Sequence, residues 1–120
     1  MKITRRFLNI AGLFAGLTLT ASAAQVNGIL MDKMCSARTA KEGGQKFAES
    51  HDKKCALEPP CAKSGYGVYT ADGKFLSFDD AGNAQAAAAL KATKNVDHLK
   101  VSVNGTVQGT TLKVMSLNLQ

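Results

Sequence analysis

The sequence predicts a mainly β domain, five strands closed into a small barrel with one helix between the third and fourth. Three observations carry this. Runs at 66–70, 74–78, 99–107 and 111–119 are rich in β-branched and aromatic residues, and Val101 and Val103 alternate with Ser102 and Asn104. Ala71-Asp72-Gly73 and Gln108-Gly109 fall between successive runs, where hairpin turns take such residues. Between the two pairs lies Ala84–Thr93, an alanine-rich stretch that favours helix.

The first strand is read at 25–31, Gln25-Val26-Asn27-Gly28-Ile29-Leu30-Met31. Residues 32–65 follow with no clean apolar period. They hold Gly43-Gly44, Pro59-Pro60, His51 and all three cysteines. A run of that length in a small domain needs something to tie it down. Ala37–Ser50 has room for a helix on each side of Gly43-Gly44. After the first hairpin, Asp72, Asp79, Asp80 and Asn83 read as turn and helix-cap residues, whose side-chain oxygens can accept exposed N–H groups. They lack the alternating spacing of a calcium loop. Lys91 and Lys94 sit near the negative end of the helix dipole, and Leu90 with Ala86–Ala89 supplies a close-packing face. The order strand, long connection, strand, strand, helix, strand, strand is that of an OB-like barrel. Closure removes unpaired edges, an economical solution for fewer than about 100 residues. An open antiparallel sheet with one helix packed on it is the competing layout.

The chain has 120 residues and a net charge of +6. Residues 1–23 read as an export signal: basic Lys2, Arg5 and Arg6, an apolar run from Ile10 to Leu19, and Ala21-Ser22-Ala23 before the cut. Thr4-Arg5-Arg6-Phe7-Leu8 partly matches a twin-arginine signal, so both export routes stay open. The expected body is a single domain at 24–120, periplasmic or secreted, with no membrane span once the signal is removed. It keeps twelve basic against nine acidic side chains, a charge of +3. Lys33, Arg38, Lys41, Lys46, Lys53, Lys54 and Lys63 make residues 33–63 basic. That stretch is read as a solvated face with weak attraction for an anionic protein or ligand. It lacks the stronger field and interleaved aromatics of a nucleic-acid surface. There is no Gly-rich phosphate loop, which excludes a nucleotide-driven enzyme.

The site residues are Cys35, His51, Cys55 and Cys61. Three thiolates and an imidazole make a tetrahedral set for zinc or a soft set for copper(I). His51 and Cys55 share a face if their segment is helical, being four apart. Pro59-Pro60 forms a corner that turns Cys61 back toward them. Met31 and Met34 flank Cys35, and a thioether favours copper(I). Met31 is otherwise core, as is Met115. The other reading is a disulfide from Cys35 to Cys55 or Cys61, with one thiol left over. A Cys35–Cys55 bridge would stabilise by roughly 3 kcal/mol through loop closure. Two functions therefore stand: a small exported metal-binding module, or a disulfide-stabilised periplasmic interaction or ligand-binding domain. No orienting group or oxyanion donor is evident for a Cys55–His51 nucleophile, so no enzyme is expected. His98 reads as a strand-end surface residue. Tyr66, Tyr69, Phe75 and Phe78 read either as a stacking face or as barrel core.

Met34-Cys35, His51-x-x-x-Cys55, Cys61 and the Lys63-Ser64-Gly65-Tyr66 step into a strand resemble a family of small exported bacterial proteins of unknown function. The closing segment, Val101-Ser102-Val103-Asn104-Gly105-Thr106-Val107 and Thr111-Leu112-Lys113-Val114-Met115-Ser116-Leu117, is similar too. The likeness covers roughly residues 26–119 and implies an OB-like C-terminal half and the location of the site.

Overall fold

A computed structural model describes residues 23–120, together with Gly16. The rest of the expected signal lies outside the described residues. Five strands run in chain order: β1 (Ala24–Asp32), β2 (Tyr66–Tyr69), β3 (Phe75–Phe78), β4 (Lys100–Gln108) and β5 (Thr111–Leu119). They close into a ring in the order β1-β2-β3-β5-β4. β1 makes closure possible because it serves two neighbours. Ala24–Ile29 pairs antiparallel with β4, and Ile29–Asp32 pairs antiparallel with β2. β3 and β5 meet in a short parallel contact, Ser77 with Thr111 and Phe78 with Leu112. Every strand thus has two partners, although β5 meets β3 only at its first two residues.

The long connection between β1 and β2 is helical. It holds α1 (Lys33–Ser36), α2 (Thr39–Glu42), α3 (Gln45–Ser50), α4 (Lys53–Ala56) and α5 (Pro59–Ser64). The expectation of a mainly β protein is corrected accordingly: among the described residues helix is 37% and strand 35%. None of these helices exceeds six residues, so none is long enough to display a 3.6-residue apolar period. Their ends are set locally. Asp32 caps α1 and Asp52 caps α4, while two prolines open α5, where a missing N–H costs nothing. Gly43 and Gly44 separate α2 from α3 with φ of 123° and 64°, a reversal that side-chain-bearing residues resist.

Two apolar clusters lie on opposite faces of β1 and β2. Leu30 and Val68 point into the ring with Leu99, Val101, Val103, Leu112 and Val114. α6 (Asp80–Ala92) packs against this interior through Ala86 and Leu90, both fully buried. Asp79 caps it by accepting the Gly82 N–H at 3.0 Å, and also accepts the Val114 N–H at 3.1 Å, which fixes the helix to β5. Ile29, Met31 and Tyr69 point the other way and pack with Cys35, Ala48 and Cys61. Residues 29–32 are all buried because the ring covers one face of β1 and the short helices cover the other. Tyr66 and Phe78 fall in the interior cluster and Tyr69 in the outer one, so these three rings are core.

Met115 departs from expectation. It is 69% exposed, not core. The β4–β5 register shifts at Asn104/Gly105: Asn104 pairs with Ser116, but Gly105 pairs with Val114, leaving Met115 as the extra residue of a bulge. The inward set on β5 is therefore Leu112 and Val114, then Leu117 and Leu119.

Candidate metal centre

The site forms where β1 ends and the short helices begin. Asp32, the last residue of β1, is fully buried. Its Oδ2 accepts the Cys35 N–H at 2.8 Å, which starts α1 and holds Cys35 one turn beyond the strand. Its Oδ1 lies 2.7 Å from His51 Nε2. A carboxylate can only accept, so Nε2 carries the hydrogen and Nδ1 is the ring nitrogen left for a ligand. His51 sits at the C-terminal cap of α3, where its N–H bonds back to Phe47 O. Cys55 is placed as Cys35 is: Asp52 Oδ1 accepts the Cys55 N–H at 2.6 Å and starts α4. Cys61 lies in α5 and is buried, with its carbonyl accepting from Ser64 Oγ at 2.6 Å. Tyr66 stands opposite Asp32 across the β1–β2 pair and donates its hydroxyl to Ala56 O at 2.8 Å.

Two groups of ligand atoms result, and each could hold a metal ion. The atoms of Cys35, His51 and Cys55 lie within 4.8 Å of one another, as do those of Asp32, Cys35 and Cys61. Cys35 belongs to both. Asp32 is the residue that sequence reasoning missed. Its signal was present as a repeat: Asp32-Lys33-Met34-Cys35 and Asp52-Lys53-Lys54-Cys55 share the pattern Asp-Lys-x-Cys. In each, the acid caps one helical turn and the cysteine rides on the capped N–H.

Several expectations change here. His51 and Cys55 are not four apart on one helix. His51 ends α3, Cys55 belongs to α4, and they meet because the chain turns at His51. Pro59-Pro60 opens a helix, not a corner. The proposed disulfide from Cys35 to Cys55 or Cys61 is not formed, for all three cysteines are free thiols. Met31 is core, its sulfur accepting from Thr39 Oγ1 at 3.7 Å, and Met34 is 49% exposed. His98 lies at the surface, beside Asp97, as expected.

Burial sets the electrostatics. It pushes the Cys35 thiol up to about 12, helped by the charges of Asp32, Cys55 and Cys61. Cys55 is raised by burial and then by Glu58 and Asp52, and Cys61 by burial and then by Asp32 and Cys55. Burial also works to raise Asp32. The His51 hydrogen bond, the Cys35 N–H and the His51 charge together outweigh it and hold the carboxyl below its ordinary value. Tyr66 is raised by burial, then by Asp32 and Cys61. The metal-free pocket is thus a set of protonated thiols around one ionised acid. An ion that entered would displace the thiol protons, because thiolates are the form that binds.

Comparison with known proteins returns no match: no family model, no curated protein and no solved structure is matched. The geometry of the site alone carries its functional reading.

Proposed function

We propose that this chain is a small exported metal-binding module that holds one zinc or copper(I) ion on Cys35, His51, Cys55 and Cys61. The observation that carries the reading is the approach of Cys35, His51 and Cys55 to within 4.8 Å, with Asp32 Oδ1 holding His51 Nε2 at 2.7 Å. A carboxylate behind a histidine sets its tautomer and orients it, and metal-ligating histidines routinely have such a partner. Cys61 lies with Cys35 and Asp32 in the second group, not with His51 and Cys55, and in this reading it closes on the ion as the fourth ligand of a tetrahedral set. The ring supports the site mechanically: β1 delivers Asp32, which starts α1 and with it Cys35, and the strand order with a helix between β3 and β4 reads as an OB-like barrel. Export rests on the basic, apolar and small-residue sequence of residues 1–23, in keeping with the likeness to small exported bacterial proteins. Binding is favoured over thiol catalysis by the metal-free protein because a catalytic cysteine needs a lowered pKa, and these are raised, whereas a bound ion would hold them as thiolates.

Titration of the reduced protein with zinc and with copper(I), read by competition with a chromogenic chelator, tests the reading. One equivalent should bind. His51→Ala should weaken uptake, and His98→Ala should not. No binding at one equivalent, or wild-type binding by His51→Ala, would sink it.

A further inference from the structure

The two ligand groups share a single residue. Cys35 belongs to the trio with His51 and Cys55 and to the trio with Asp32 and Cys61. Any covalent change at Cys35 therefore dismantles both. The partner best placed to make that change is Cys55. Its sulfur lies within 4.8 Å of the Cys35 sulfur, and it is the one cysteine of the three that reaches solvent, half-buried where Cys35 and Cys61 are buried. We infer that Cys55 and Cys35 form a thiol–disulfide exchange pair that releases the bound ion when it is oxidised. This rests on the metal-binding reading above and names its regulation.

The co-reactant is a disulfide, of a small molecule or of another protein. The Cys55 sulfur attacks one sulfur of the incoming disulfide. That S–S bond breaks, the first thiolate leaves, and a mixed disulfide forms on Cys55. The Cys35 sulfur then attacks the Cys55 sulfur, the mixed disulfide breaks, and the second thiolate leaves. Cys35 and Cys55 together lose two electrons, and the incoming disulfide gains them as two thiolates. In the metal-free protein the two thiol protons pass to those thiolates. In the loaded protein the cysteines are already deprotonated, so the ion departs as their lone pairs are lost to the S–S bond. Cys61 and His51 remain, two ligands where four were present. Cys61 lies within 4.8 Å of Cys35 too, but its burial closes it to an incoming disulfide. The order of events, entry at Cys55 and closure at Cys35, is set by access, since Cys55 is the more exposed of the pair.

The test uses the reduced protein loaded with one equivalent of zinc, whose uptake is measured first. Bis(2-hydroxyethyl) disulfide is then added. Released zinc is read with a chromogenic chelator, and bridges are assigned by peptide mapping under non-reducing conditions. One zinc should be released per Cys35–Cys55 bridge formed, and dithiothreitol should restore binding. Cys61→Ser should still form the same bridge. Cys55→Ser should lose all intramolecular bridging, with far-UV circular dichroism confirming its fold. The wild-type map needs no variant and decides the matter even if Cys55→Ser misfolds. A Cys35–Cys61 bridge, no bridge, or a Cys35–Cys55 bridge with zinc retained would overturn the exchange pair while leaving the metal site standing. Failure of the reduced protein to take up either zinc or copper(I) before any oxidant is added would overturn both.

Discussion

Replacing Asp32 with asparagine separates the two tasks of this buried acid. One oxygen caps α1 through the Cys35 N–H at 2.8 Å, and the other accepts from His51 Nε2 at 2.7 Å. Asparagine caps a helix about as well as aspartate, so its one remaining oxygen can keep the Cys35 contact. Its amide nitrogen then faces His51, a donor against a donor. The ring resolves this by moving its hydrogen to Nδ1, which turns Nε2 into an acceptor and removes the lone pair a metal would use. In the metal-free protein a hydrogen bond to a charged group, worth about 1.5–3 kcal/mol, is exchanged for a neutral one worth about 0.5–1.5 kcal/mol. The expected loss is therefore about 1–2 kcal/mol, or roughly 5–15 °C in Tm for a domain of this size. Zinc affinity should fall by at least the 10–100-fold typical of a lost carboxylate partner. Urea denaturation of the metal-free protein gives the first quantity and chelator competition the second, while nitrogen shifts of the His51 ring report the tautomer directly. Asp52→Asn is the control, since Asp52 caps Cys55 and makes no contact with His51 among the side-chain hydrogen bonds. Wild-type zinc affinity in Asp32→Asn would refute the reasoning, as would an equal loss in Asp52→Asn.

Alkaline titration of the metal-free protein should show falling stability from about pH 9 toward 12. The fold keeps the Cys35 proton to about 12 while the unfolded chain releases it near 9.0, and Cys35→Ala should flatten that decline. At the acid end the sign reverses. Asp32 is lowered in the fold, so its contribution is present above the unfolded value of 3.8 and is lost as pH falls below it; Asp32→Asn should lack this acid limb. Met31→Ala should cost about 2–5 kcal/mol in urea denaturation, and Met115→Ala should stay within about 0.5 kcal/mol, the reverse of an equal core role for both. Gly82→Ala should destabilise by about 1–3 kcal/mol despite the better helix propensity of alanine, because its Cβ would fall 2.5 Å from Val114 Cγ2 and 2.7 Å from Phe78 Cβ.

What was legible in the sequence followed residue periodicity and turn chemistry. The five strands fall within two residues of their expected bounds, because alternation and the two glycine-bearing turns act over short distances. The bulge at Met115 was not legible. It depends on the pairing of Gly105 with Val114 across the hairpin, and alternation read along one strand carries no information about an extra residue opposite a partner. Residues 32–65 resisted reading for a different reason. One-turn helices take their stability from caps and from burial against β1, and neither produces a period.

The site shows the same division. Cys35, His51, Cys55 and Cys61 stood out as residue types, and the structure does bring Cys35, His51 and Cys55 together. The helical i, i+4 argument for His51 and Cys55 was nevertheless wrong, and their proximity comes from two separate helix ends. What organises the site is Asp32, a residue that reads in isolation as an ordinary strand-end acid. Its importance lies in burial: a carboxylate with no exposed surface must be satisfied, and here Cys35 and His51 satisfy both of its oxygens. One acid thereby sets the backbone position of one candidate ligand and the ring orientation of another. The Asp-Lys-x-Cys repeat places Cys55 by the same capping device without the second contact. Position of the Cys35 and Cys55 thiols is thus encoded locally in each case, while orientation of the imidazole is encoded once, by a contact spanning nineteen residues. Changes at Asp52 should accordingly act on the placement of Cys55, and changes at Asp32 on the chemistry of the site as a whole.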